Sequence, residues 1–164
     1  MKRSILAVAF ASASMLANAA VLDLSTFVVS GSGTTSSLLA SITGTTTLAG
    51  NVTGLTSFSW KFTTPDYIPF NDYSFFTTSS GTTNLSSVGD LGNVVGGVSS
   101  TGWKTFTFAN AYTGQLIFGV KDVQDAQLPS ELQIAVAPVP EPETYALMGV
   151  GLVGLLAARR RKAN

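Results

Sequence analysis

The chain has 164 residues with a formal net charge of zero, and it contains neither cysteine nor histidine. Without cysteine there is no disulfide framework, thiol nucleophile or thiolate metal ligand, and without histidine the commonest general base is missing. The charge is unevenly distributed, since residues 20–143 hold three lysines against all nine acids, a net charge of −6. Binding to nucleic acid is therefore excluded, because phosphate contacts need clustered lysine and arginine.

The first 19 residues have the three parts of a secretory signal peptide. These parts are the basic pair Lys2-Arg3, an apolar run over residues 5–16, and a small-x-small site at Ala17-Asn18-Ala19. Cleavage is expected after Ala19, so the mature protein begins at Ala20, outside the cytoplasm. The alternative is an uncleaved N-terminal anchor, which the short, alanine-rich apolar run disfavours.

Residues 20–137 are rich in threonine, serine, glycine, valine and phenylalanine, a composition that favours β-strands. Apolar side chains alternate with polar ones at Phe58, Trp60 and Phe62, and the same period of two recurs over residues 104–108, 116–120 and 132–136. Breaks between strands are expected at the glycine-containing stretches 30–33, 43–44, 79–81, 96–97 and 113–114.

This pattern predicts one all-β domain of eight or nine short strands. The expected architecture is a single antiparallel β-sandwich of jelly-roll type, with a barrel as the alternative. About 118 residues are enough to bury one such core without a metal or disulfide.

The C-terminal region ends in an uncharged segment followed by a basic cluster. Residues 145–158 carry no charge, and as a helix they would extend over roughly 21 Å, against about 30 Å for a bilayer core. The basic tail, residues 159–164, begins with Arg159, Arg160, Arg161 and Lys162. Because basic flanks stay in the cytoplasm, we expect a short transmembrane helix that enters from outside and ends inside.

Directly upstream, residues 138–144 contain Val139, Pro140, Glu141, Pro142 and Glu143. A Pro-Glu-Pro motif, a short glycine-rich apolar helix and a terminal arginine cluster, in this order, resemble the PEP-CTERM sorting signal. The resemblance covers about the last 25 residues. It implies recognition and cleavage near the motif by a membrane transpeptidase of the exosortase type, in a Gram-negative bacterium that makes an extracellular polysaccharide or biofilm matrix.

Acidic residues in or beside loops are candidate calcium ligands, because calcium takes six to eight oxygen ligands and many extracellular sandwiches use it. Asp122 and Asp125 are the candidate ligands, although their Asp-x-x-Asp spacing is not that of an EF-hand loop, and a structural calcium ion is the cofactor considered. The alternative is that these aspartates cap turns through hydrogen bonds to their own backbone.

Tyr67, Asp72 and Tyr73 are candidate ligand-binding residues. Aromatic rings beside aspartate and asparagine are a common way to hold a sugar ring, and the two tyrosines lie among prolines and acids rather than in an apolar run. Catalysis is not expected, since no nucleophile, base and orienting group can be named together.

Together these features predict a non-enzymatic cell-surface or matrix protein. We expect it to pass through the export machinery, to be anchored transiently in the inner membrane, and to reach the cell surface or the exterior after exosortase processing. Extracellular polysaccharide is a candidate partner, and a carbohydrate-binding module is the alternative function. A glycan hydrolase is a weaker alternative.

Overall fold

The computed structural model describes residues 22–40, 44–124 and 127–135. These residues form nine strands and one four-residue helix, and every strand pairing is antiparallel, which confirms the predicted all-β class. The elements are β1 Val28–Ser30, β2 Ser32–Thr34, β3 Ser37–Leu39, β4 Thr45–Thr64, β5 Tyr73–Thr78, β6 Gly81–Ser87, α1 Val88–Leu91, β7 Ser99–Ser100, β8 Lys104–Lys121 and β9 Glu131–Ala135.

Two long strands, β4 and β8, form the centre of the fold. They pair from Thr45 opposite Lys121 to Trp60 opposite Lys104, and the register shifts on either side of Leu55. The first part of β4 also pairs with β1, whereas its second part pairs with β9 and β7. The main strand order is β2-β3-β9-β4-β8-β5-β6, so every other strand is joined to this pair directly or through one or two neighbours.

The predicted break at Thr113-Gly114 is wrong, because β8 runs without interruption through both residues. Gly114 has a φ of 147° and lies opposite Val52, next to the first register shift in β4. Across the irregularity, the Thr113 hydroxyl accepts a hydrogen bond from the Gly54 amide at 2.9 Å. The glycine therefore permits an irregular stretch inside a strand rather than a turn between two strands.

The core contains the apolar residues that the alternation predicted. Phe58, Trp60 and Phe62 of β4 are buried, as are the inward-facing residues of β8 and β9, namely Leu116, Phe118, Val120, Leu132 and Ile134. Phe58 lies at the centre, with ring centroids 4.9 Å from Phe118 and 5.2 Å from Phe76, both edge to face. Side chains from β4, β5 and β8 thus share one aromatic cluster.

The short helix α1 was not predicted, although its capping signal is present in the sequence. Ser87 and Asp90 form a capping box, in which the Ser87 hydroxyl accepts a hydrogen bond from the Asp90 amide and the Asp90 carboxylate accepts one from the Ser87 amide. Gly92 ends the helix in the left-handed conformation. No helix among the described residues is long and apolar enough to cross a membrane. The predicted signal peptide and transmembrane helix lie outside those residues.

Replacing Phe58 by alanine removes the ring that joins the aromatic cluster. We expect Phe58→Ala to lower the free energy of unfolding by about 3–5 kcal/mol, because both the transfer energy and the packing around the vacated space are lost. Val95→Ala, at a side chain that is 72 % exposed, serves as the control and is expected to change it by less than about 0.5 kcal/mol. Urea denaturation measures both variants, and equal effects would show that Phe58 does not lie in the core.

Candidate functional site

Polar side chains are buried where several of the strands begin or end. Thr64 is the last residue of β4, Asp72 directly precedes β5, Asp122 follows β8, and Ser130 precedes β9. Asp66 lies two residues beyond the end of β4. All five are at most 4 % exposed. We call this group the buried polar cluster.

Asp72 has the most extensive set of contacts in the cluster. Its Oδ1 accepts a hydrogen bond from the Val123 amide at 2.8 Å, and its Oδ2 accepts one from the Ser130 hydroxyl at 2.8 Å. The Asp72 carbonyl also accepts a hydrogen bond from the Val88 amide at 2.9 Å, which connects the cluster to α1. One residue therefore joins the segment after β8, the segment before β9 and the helix.

The hydroxyl groups of Ser130 and Thr64 extend this network. Their oxygens are 2.8 Å apart, and the Thr64 oxygen accepts a hydrogen bond from the Asp66 amide. Since Ser130 has a single hydroxyl proton, an ionised Asp72 requires Ser130 to donate to the carboxylate and Thr64 to donate to Ser130. Protonation of Asp72 would allow the direction of both hydrogen bonds to reverse.

Burial raises the pKa of the Asp72 carboxyl group from 3.8 to about 6. The hydrogen bonds from Val123 and Ser130 act in the opposite direction, and the negative charges of Asp122 and Asp66 raise the pKa further. The cluster thus contains three aspartates, and the carboxyl group of one of them, Asp72, holds a proton in mildly acidic solution.

Asn93 connects the cluster to the loop between α1 and β7. Its side-chain nitrogen donates to the carbonyl oxygens of Asp66 at 2.7 Å and Thr64 at 3.1 Å, with the Gly97 carbonyl at 3.3 Å. Its side-chain oxygen accepts a hydrogen bond from the Ser99 hydroxyl at 3.0 Å. The carbonyl groups that follow the end of β4 are therefore satisfied by a side chain instead of by a neighbouring strand.

The structure does not place the three candidate ligand-binding residues on a common surface. Asp72 is fully buried in the cluster, whereas Tyr67 and Tyr73 are half-buried. Tyr67 packs edge to face against Phe70 at 5.4 Å. Tyr73 contacts Phe75 at 5.9 Å, and the Lys121 ammonium group lies 5.9 Å from the Tyr73 ring centroid. Asp72 therefore makes hydrogen bonds inside the protein. Of the three candidates, only Tyr67 and Tyr73 are partly exposed to solvent.

The calcium prediction falls partly outside the described residues. Asp125 is not among them, and Asp122 belongs to the buried polar cluster, where its charge acts on Asp72. Within the ranges that the structure describes, no three acidic side chains are arranged to hold a metal ion.

Sequence reasoning missed Thr64, Asn93 and Ser130. No signal in the chain distinguishes their side chains from the many other serine, threonine and asparagine residues of this domain. The segment before β5 was singled out for its aromatic and acidic residues, but this composition does not show that Asp72 points inward.

The C-terminal residues, which lie outside the described ones, match a known sorting signal. The family model of the PEP-CTERM protein-sorting motif matches residues 138–162, which include the Pro-Glu-Pro stretch and the arginine cluster. The chain is a PEP-CTERM domain-containing protein. None of the curated proteins that were compared matches it. The motif supports an exported protein that is first anchored in a membrane and is processed there by exosortase, itself a membrane protein.

The raised pKa of Asp72 predicts how the stability of this PEP-CTERM protein depends on pH. A carboxyl group with a higher pKa in the folded than in the unfolded state stabilises the fold most below pH 3.8, and this contribution is lost as the pH rises to about 6. Asp72→Asn keeps the shape and removes the titration. We expect it to be more stable than the wild type at pH 7, by at most about 3 kcal/mol, with the difference disappearing near pH 4.

Urea denaturation between pH 4 and pH 7 measures this difference. Asp23→Asn is the control, because Asp23 is exposed and its hydrogen bonds to Ser25 lower its pKa, so it should show no gain at pH 7. Asp72→Ala should be less stable than Asp72→Asn at every pH, since it leaves the Val123 amide and the Ser130 hydroxyl without their acceptor. A difference between Asp72→Asn and the wild type that does not change with pH would contradict the assignment.

Proposed function

We propose that this PEP-CTERM protein is a non-enzymatic component of the cell surface or of an extracellular polysaccharide or biofilm matrix. The observation that carries the proposal is the sorting motif over residues 138–162. It supports export of the preceding β domain from the cell. We propose a structural or interaction role there, because this serine- and threonine-rich domain contains neither cysteine nor histidine.

The β domain itself supports a structural role. Its most elaborate polar arrangement, the buried polar cluster, is closed to solvent, with Asp72 and Ser130 both 0 % exposed. A serine hydroxyl bonded to a carboxylate in this position stabilises the chain, because a substrate would have to displace the core to reach it. The absence of cysteine and histidine from the sequence removes further routes to hydrolysis.

The architecture that we propose for this domain is a two-layer sandwich of jelly-roll type. In support, β4 pairs with β1 along its first part and with β9 and β7 along its second, β8 pairs with β5 only near its end, and residues from both parts of each long strand contribute to one core. Such a domain presents strand edges and loops to a matrix while its interior stays closed.

Processing would convert a membrane-anchored precursor into the mature form. We propose that the signal peptide is removed before Ala20, that residues 145–158 hold the precursor in the inner membrane with Arg159 to Lys162 inside, and that exosortase cleaves near Pro140-Glu141-Pro142. The short apolar segment supports a transient anchor, since it is about a third shorter than the bilayer core. The alternative of a carbohydrate-binding module depends on Tyr67 and Tyr73, whose rings are partly open.

Replacing the motif tests the proposed processing. In a host with an active exosortase, the wild-type protein should lack both residues 1–19 and the Arg159–Lys162 terminus, as measured by intact-protein mass spectrometry. The triple variant Pro140→Ala, Glu141→Ala, Pro142→Ala should keep the basic terminus and remain in the membrane fraction. Pro129→Ala, at an exposed proline before β9, is the control and should be processed like the wild type. A wild-type protein with an intact basic terminus in such cells would contradict the proposal.

A further inference from the structure

Four described strands pair with one other strand only, namely β1, β2, β6 and β7, and β6 is the longest of them. Among the described residues, β6 pairs with β5 and with no other strand, so the backbone groups along its outer side have no strand partner there. Its seven residues span roughly 23 Å in an extended conformation. A free edge of this length is a template for pairing with another chain.

This edge carries none of the residues that usually prevent such pairing. The hairpin formed by β5 and β6, Tyr73–Ser87, contains no acidic residue, no basic residue and no proline. Its outer part, Gly81 to Asn84, is exposed at every position. One register shift occurs between Ser74 and Phe75, at the end of the hairpin away from the turn. Gly81 has a φ of 125°, but the three residues that follow it are open and uncharged, and they pair with β5 without a register shift.

The other end of the sheet, β2, is a poorer template. It has only three residues. Gly33 within it and Gly31 just before it both have positive φ angles, of 130° and 114°. The Ser32 amide already donates a hydrogen bond to the Thr46 hydroxyl at 3.0 Å. A short, irregular strand whose amide is already bonded to a side chain offers little to an incoming strand.

A second copy of this chain fits the β6 edge better than a charged partner does. Three of the six acids among the described residues lie in the buried polar cluster, so the exposed or partly exposed acids balance the three lysines there. The β5–β6 hairpin is free of charge, so a charged partner finds no complementary group on it, whereas a second copy brings an equally uncharged edge. The hairpin also shows how threonines can pair across strands, since the hydroxyl oxygens of Thr77 and Thr82 are 2.8 Å apart.

We propose that β6 pairs in antiparallel orientation with β6 of a second copy, so that the sheets of two molecules become continuous. The interface is isologous, with a two-fold axis that passes midway between one exposed residue of β6 and the same residue of the second copy. With the cores of both copies on the same side of the sheet, this residue next to the axis lies directly opposite its equivalent in the second copy. Its Cα atom is then about 4.5–5.5 Å from the partner's, which is within the range of a disulfide.

Cysteine cross-linking tests this arrangement directly, because the chain contains no cysteine of its own. The full chain is made with a single substitution, Thr82→Cys, Thr83→Cys or Asn84→Cys, and oxidised in its membrane. Non-reducing electrophoresis should show a covalent dimer for the variant at the axis and little for its direct neighbours. Thr34→Cys, an exposed threonine on the β2 edge, is the matched control and should remain monomeric. Cross-linking at Thr34 that equals or exceeds that at all three β6 positions would overturn the proposal.

A second measurement places a charge on the edge without disturbing the core. The dissociation constant of the dimer is measured for the purified full chain in detergent, by sedimentation. Thr83→Lys should raise this constant at least tenfold, because it places two ammonium groups within the short paired segment whichever exposed residue lies at the axis, whereas Thr34→Lys should leave it unchanged. A monomeric wild type, or a dimer that Thr83→Lys does not weaken, would overturn the proposal. Pairing of β6 with an undescribed part of the same chain would produce the first of these results.

Discussion

The antiparallel pairing of β4 with β8 is the constraint on which the rest of the structure depends. These strands are 20 and 18 residues long, and they pair over almost their full length. Strands of globular proteins usually have five or six residues, so each of these two is as long as about three ordinary strands. Because their register determines which side chains face inward, it also determines that Leu48 and Phe118 meet in the core.

Long strands create a difficulty where they end, and the buried polar cluster resolves it. At the ends of β4 and β8 the chain leaves the sheet, and its backbone groups need new partners. Asp72 supplies two carboxylate oxygens and a carbonyl group to three segments, and Asn93 satisfies the carbonyls of Thr64 and Asp66. The cost is a buried carboxyl group with a raised pKa, which makes the fold sensitive to mild changes in pH. Asp72 thus links the segments that follow and precede the strands of the fold.

The sequence predicted the parts of this fold that depend on periodicity. Phe58, Trp60 and Phe62 occupy every second position, and all three are buried. The glycines were less informative, because glycine permits both turns and irregular strands: Gly81 directly follows the β5–β6 turn at Ser79 and Ser80, while Gly114 lies within β8. The inward orientation of Asp72 depends on contacts with Val123 and Ser130, 51 and 58 residues away, and no local pattern contains that information.

The sorting signal could be recognised in full from the sequence, because its parts are contiguous and its order is defined by charge and hydropathy. The function of the β domain differs in this respect, since it depends on which surface the fold leaves open. A core closed by the buried polar cluster, with an uncharged edge at β6, fits the role that we propose, an exported protein that joins an assembly.

Hydrogen–deuterium exchange of the full chain tests the central role of the β4–β8 pair most directly. Peptides that cover Leu48 and Phe118 should exchange only through global unfolding, so their free energy of exchange should equal the free energy of unfolding from urea denaturation. The loop that contains Val94 and Val95, which are about 70 % exposed, should exchange much faster. If the β4 and β8 peptides exchanged as fast as this loop, the pairing of the two long strands could not be what holds the protein together.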